Sequence, residues 1–168
     1  MKLGPNAHTD LGHFSDHYLS ATAFTVAATD DPVARQQRSS YLVGEIVKCQ
    51  DAICAGNASL CGYVGAVPIA LFEALEQHQH YRGSAHVIPN YATHKVMAGL
   101  LDAYEHAGNA QAFAVLLQMA GFFKRRIDAV VASKGAAWWA GCLQLEFGGM
   151  NEVAYNLFAI TGDSAQRH

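Results

Sequence analysis

Three stretches of the chain follow one pattern. His17 to Asp31, Lys95 to Asn109 and Gly149 to Asp163 are each an apolar helical segment that stops at a small-residue or acidic turn. Like helical units stack as hairpins, and the like members of successive hairpins run parallel. The unusual polar residues lie near the start of each stretch: His13 and His17, then His94 and Lys95, then Glu146, Asn151 and Glu152. Parallel helices with their polar groups at the same end predict one shared site.

Turn chemistry sets the expected boundaries. A first helix runs from about Leu11 to Thr29, with Phe14, Tyr18, Ala21 and Thr25 on one face at helical spacing. Asp30-Asp31-Pro32 stops it and starts a second, in which Asp31 caps and Pro32 occupies the first turn. That helix extends to about Cys49 on a stripe of Tyr41, Leu42, Ile46 and Val47. Residues Asp51 to Pro89 read as a long Gly/Pro-punctuated loop with one helical piece around Ile69 to Gln77. A third helix follows Pro89 and stops at Gly108, and a fourth covers Ala110 to Val131. A second loop, Ser133 to Gly141, leads into a fifth helix, Leu143 to Ile160. Both loops enter helices on the side that carries the polar groups.

Length and composition bound the functional classes. A chain of 168 residues can make one domain with a real core. Hydrophobic residues make up 51% and DEKR only 15%, below the roughly 25% charge of typical soluble domains. So low a charge content implies that part of the surface meets more protein. The net charge of -3 argues against nucleic acid as a partner, since phosphate binding needs a field of Lys and Arg. Lys124-Arg125-Arg126, the basic cluster, reads as a solvated face. No apolar run reaches the roughly 20 residues that span a bilayer, so no membrane role is expected. No signal peptide is visible at the amino terminus, which leaves the localisation unknown. Cys49, Cys54, Cys61 and Cys142 lack CxxC spacing. Cys54 and Cys61 flank a Gly/Asn/Ser loop that an oxidising compartment would let them close, but without an export signal free thiols are the expectation.

The candidate site residues divide by chemistry. His13 and His17, spaced i, i+4, share a helix face; with no third ligand beside them they suit a polar pocket better than a metal, and no metal site is assigned. Tyr91 and His94 lie one turn apart, with Lys95 adjacent. Glu146 to Glu152 is the sharpest local motif, because Gly148 and Gly149 inside a helix would cost about 1 kcal/mol each relative to Ala. They either permit close helix packing or let a ligand or loop approach the backbone between two carboxylates. Paired carboxylates suit glycoside hydrolysis, but the i, i+6 spacing on a helix turns Glu146 and Glu152 onto different faces. Trp138 and Trp139, with Tyr63 and Tyr91, offer flat faces on which sugars stack or which pack a core.

In their order, Gly12-His13-Phe14 with His17 to Ala21, Cys49-Gln50, Gly62 through Pro68, Tyr91 to Lys95 with Gly99 to Asp102, and Gly148 to Glu152 with Ile160 to Asp163 cover most of the chain from Leu11 onward. The chain resembles the catalytic domain of the β-L-arabinofuranosidase-like glycoside hydrolases, family 127 and its relatives. That resemblance implies an all-α fold, an α/α toroid of six helical hairpins with the sugar site at one end. It also implies removal of L-arabinofuranose by a retaining route, with a cysteine nucleophile on a zinc held by further cysteines and a glutamate, in proteins that are often exported. The cysteine-rich motif lies downstream of the last motif matched here, so that role does not transfer to Cys49, Cys54, Cys61 or Cys142. Residues 1–168 are therefore expected to form a single partial toroid domain, truncated at the carboxyl end, with no cofactor of its own and zinc in the full-length domain. Ser15-Asp16 replaces the usual apolar-Gly pair and adds an acid near the site.

On this reading His17, His94 and Glu152 hydrogen-bond sugar hydroxyls, with His13, Lys95 and Asn151 lining the pocket. Tyr63 and Tyr91 supply flat surface, and Glu146 is a pocket acid with no assigned catalytic step. The partner is an arabinose-containing oligo- or polysaccharide, bound without turnover by the chain alone. The competing reading is a non-catalytic helical module derived from the same fold, self-associating through surface that a complete ring would bury.

Overall fold

The computed structural model describes residues 13–78, 88–144, 146 and 148–163, excepting the side chains of His13 and Ser15. Every element among them is helical. Helix α1 (His13–Thr29) is followed by a π-helical turn (Ala34–Ser40) that runs directly into α2 (Tyr41–Gly56). A short 3-10 turn (Ala58–Leu60) precedes α3 (Ile69–His78), and α4 (Pro89–Ala107) and α5 (Ala110–Lys134) form the longest hairpin. Helix α6 (Ala136–Leu143) and α7 (Met150–Thr161) complete the described chain.

Local chemistry sets the joints. Asp31 Oδ1 accepts from the Val33 N–H at 2.8 Å, capping the helix that Pro32 opens. Pro89 opens α4, and Gly108, at φ +68°, closes it in the left-handed conformation. Asn109 Oδ1 then accepts from the Ala112 N–H and caps α5. Arg35 reaches from the π-helical turn to the Ala107 carbonyl at 2.7 Å, placing a cation at the carboxyl end of α4.

Helix α4 is the centre of the molecule. It packs against α1 on one side, α7 on the other and α5 behind. The core joins Leu100, Leu101 and Met97 of α4 to Leu19 of α1, Leu116 and Met119 of α5, and Leu157 of α7. Gly99 brings α1 close: a Cβ there would lie 2.9 Å from the Asp16 carbonyl oxygen, nearer than any side-chain carbon tolerates.

Several expectations are corrected. In α1 the inward face is Asp16, Leu19, Ala23 and Val26; the Phe14, Tyr18, Ala21 and Thr25 stripe faces outward, with Phe14 83% exposed. The first expected loop loses its start to α2, which continues to Gly56, and the second holds α6 instead of open chain. The fifth helix begins at Met150, so Glu146, Gly148 and Gly149 lie outside it and the helical-repeat angle between Glu146 and Glu152 does not apply. Cys54 and Cys61 are paired in a disulfide rather than free. The basic cluster is not a solvated face. Arg126 forks onto Glu76 at 2.6 and 3.0 Å, both side chains largely buried, and Arg125 donates to the Cys61 carbonyl.

Candidate functional site: a polar cleft at the starts of three helices

Helices α1, α4 and α7 line one cleft of about 280 Å³, from near their starts as far as Phe24, Asp102 and Asn156. His17 and Asp16 enter it from α1, His94 and Lys95 from α4, and Glu152 from the first turn of α7. Tyr91 stands beside them: its ring meets the His94 ring edge-on at 5.1 Å, and the Lys95 Nζ lies 5.1 Å from its centre. Imidazoles, an ammonium and carboxylates in one small volume supply donors and acceptors of both kinds, as a polyol needs. The volume is just under the roughly 300 Å³ at which small-ligand sites begin.

The glycine pair explains how His94 is held. A Cβ on Gly149 would lie 2.8 Å from the His94 ring, and one on Gly148 would lie 3.1 Å from the Tyr91 ring. Only glycine lets the backbone leading into α7 press on these two side chains, so of the two readings of the pair close packing is the one realised. The same turn carries Glu146 beneath α4. Its Oε2 accepts from the Asn90 N–H at 2.6 Å and the Tyr91 N–H at 3.4 Å, capping the helix that presents His94 and Lys95. Burial raises the Glu146 carboxyl to about 7, and the two amide hydrogen bonds only partly offset it.

The predicted residues are thus distributed unevenly. His17, His94, Lys95 and Glu152 line the cleft, and Tyr91 packs against two of them. Asn151 and Glu146 line a separate cavity behind α4. Tyr63 is not at the cleft: it is 4% exposed, packs with Phe72, Phe122 and Phe123, and donates its hydroxyl to the Val67 carbonyl. The burial raises its pKa to about 12. The His13 side chain lies outside the described residues. Trp138 is a brace, donating Nε1 to the Glu76 carbonyl at 2.9 Å beneath Lys134. Gln50 is another, joining α2 to the Gly62 carbonyl at 2.9 Å. Ser20, Asp102 and Asn156 also line the cleft and were missed. Helical spacing could have found them, since they follow His17, Lys95 and Glu152 by three, seven and four residues.

Zinc does not fit the cysteines present. Cys54 and Cys61 are bonded to each other, and the buried Cys142 Sγ lies 3.6 Å from the Leu75 carbonyl oxygen. No group of three or more His, Cys, Asp or Glu suited to a metal occurs among the described residues. None of the described helices is long and apolar enough to cross a membrane.

A comparison with curated proteins matches none. The family model described as "Beta-L-arabinofuranosidase, GH127 catalytic domain" matches residues 5–167, nearly the whole sequence and all the helices that build the cleft. The chain therefore belongs to the β-L-arabinofuranosidase catalytic-domain family of glycoside hydrolases, family 127.

Proposed function

We propose that the cleft binds a single L-arabinofuranose unit of an oligo- or polysaccharide, and that α1, α4 and α7 are the inner helices of one arc of an α/α toroid. The observation that carries this reading is the convergence of His17, His94, Lys95 and Glu152 at the starts of three helices in a family of arabinofuranosidases. The imidazoles and Lys95 donate to ring hydroxyls, Glu152 and Asp16 accept from them, and Tyr91 holds His94 and Lys95 in place. Glu146 positions rather than reacts, since its carboxyl is committed to the amino end of α4. No catalytic step is assigned to the four cysteines.

The test is direct. Purified chain incubated with 4-nitrophenyl β-L-arabinofuranoside is expected to bind it weakly, with one site per chain, and to release no nitrophenol. Robust hydrolysis lost on replacing Cys49 or Cys142 would overturn the assignment of the chemistry, and absence of binding would overturn the assignment of the site.

A second reading is favoured by one observation. Phe14 and Tyr18, one turn apart on α1, are 83% and 49% exposed, an apolar surface suited to self-association. Sedimentation of the pure chain tests it: a concentration-dependent dimer is expected, and a monomer at all concentrations removes this reading.

A further inference from the structure

Behind α4, away from the sugar cleft, lies a second cavity of about 150 Å³. Its walls are Met97 of α4, Phe123 and Ile127 of α5, Trp139 and Leu143 of α6, and Leu157 of α7. Two polar groups sit together at its inner end. Asn90 is 8% exposed, and its side-chain Nδ2 is buried with no hydrogen-bond partner among the described residues. Glu146 is 4% exposed and bonded through Oε2 to the backbone N–H of the same Asn90. A buried donor left unmet costs about 1–3 kcal/mol, so a native structure that keeps one beside a cavity has room for an acceptor there.

We infer that this cavity is a binding site for a one-ring aromatic alcohol, the ring between Phe123 and Trp139 and the hydroxyl against Asn90 and Glu146. Size comes first. A space of about 150 Å³ accommodates one benzene-sized ring. Polarity selects the substituent. A hydroxyl accepts from Asn90 Nδ2 while donating to the Glu146 carboxylate, whose two oxygens have lone pairs beyond those used at α4. An ammonium leaves Asn90 unmet and meets Lys124, which lines the same cavity. A plain hydrocarbon fills the volume but also leaves Asn90 unmet. The aromatic walls favour an aromatic ring, through edge and face contacts, over an aliphatic one.

The cavity is distinct from the sugar cleft. Gly148 lines the cavity and Gly149 lines the cleft, so the two lie on either side of one turn. The inference does not depend on the sugar reading.

Calorimetric titration of the full chain with phenol tests it. One saturable site per chain is expected, with toluene, which has the same ring and no hydroxyl, binding at least about tenfold more weakly, since it makes neither hydrogen bond. Ala154→Phe, which fills the cavity from α7, is expected to abolish the site. Should that variant fail to fold, Ala120→Phe fills the same space from α5, and the comparison of phenol with toluene on the unmodified chain stands regardless. Absence of saturable phenol binding at millimolar concentration overturns the proposal, as does phenol binding that survives the filled cavity or equal affinity for toluene.

Discussion

The Glu146 carboxyl makes the structure's stability depend on pH in a direction opposite to that of most carboxylates. It is held at about 7 in the folded chain against an ordinary 4.5. Below pH 4.5 both folded and unfolded chains carry it protonated, and its contribution is fully present. As pH rises the unfolded chain ionises first, and stability falls until the folded carboxyl has also ionised near pH 7. Each pH unit of that window is worth about 1.36 kcal/mol, so the total is about 3 kcal/mol. For a domain of this size that corresponds to about 6–12 °C in melting temperature. Glu146→Gln keeps an oxygen for the Asn90 N–H and removes the ionisation. Urea and thermal denaturation of both proteins from pH 4.5 to 8 should show the wild type losing about 3 kcal/mol relative to the variant. Subtracting the variant removes the histidines that titrate in the same range. A difference that stays flat across the window, or one that grows in favour of the wild type, would refute the claim that burial outweighs the helix-capping hydrogen bonds.

Other substitutions read out other joints. Gly149→Ala pushes a methyl into the His94 ring; it should cost about 1–3 kcal/mol of overpacking and remove arabinofuranoside binding, as denaturation and calorimetry would show. Cys61→Ser opens the Cys54–Cys61 bridge and should lower stability by about 2 kcal/mol, the loop-closure entropy of so short a ring; equal urea midpoints with and without reductant would contradict the pairing. Arg126→Met strands the largely buried Glu76 and should cost about 1–3 kcal/mol, part of which Glu76→Gln in the same chain should restore, as a double-mutant cycle measures.

Much of this architecture was legible because it depends on local signals. Asp31, Pro89 and Gly108 act at helix ends through their own backbone geometry, and each sits where its chemistry predicts. The convergence of His17, His94, Lys95 and Glu152 was legible from repetition alone, since parallel helices carry equivalent positions to one end. What could not be read depended on contacts distant in sequence. Tyr63 shows no local sign that Phe72, Phe122 and Phe123 will enclose it. The inward face of α1 includes Asp16, against hydropathy, because Gly99 lets α4 approach the backbone there. The break before α7 falls at Gly148 and Gly149, whose helical cost was legible, although the helix formers on either side favour one continuous helix. The backbone leaves the helix there so that Glu146 can cap α4 and the glycines can meet His94. Helix α6 was hidden by its Gly/Ala/Trp composition; it is held by Trp138 on Glu76 and Cys142 against Leu75.

The central claim is that three helix starts form one sugar site. It is tested most directly by titrating isotope-labelled chain with methyl β-L-arabinofuranoside and following backbone amide resonances. Saturable shifts are predicted at His17, His94, Lys95 and Glu152, with a single dissociation constant, and their loss in the His94→Ala variant. Shifts confined to other surfaces, or none at saturating sugar, would contradict it.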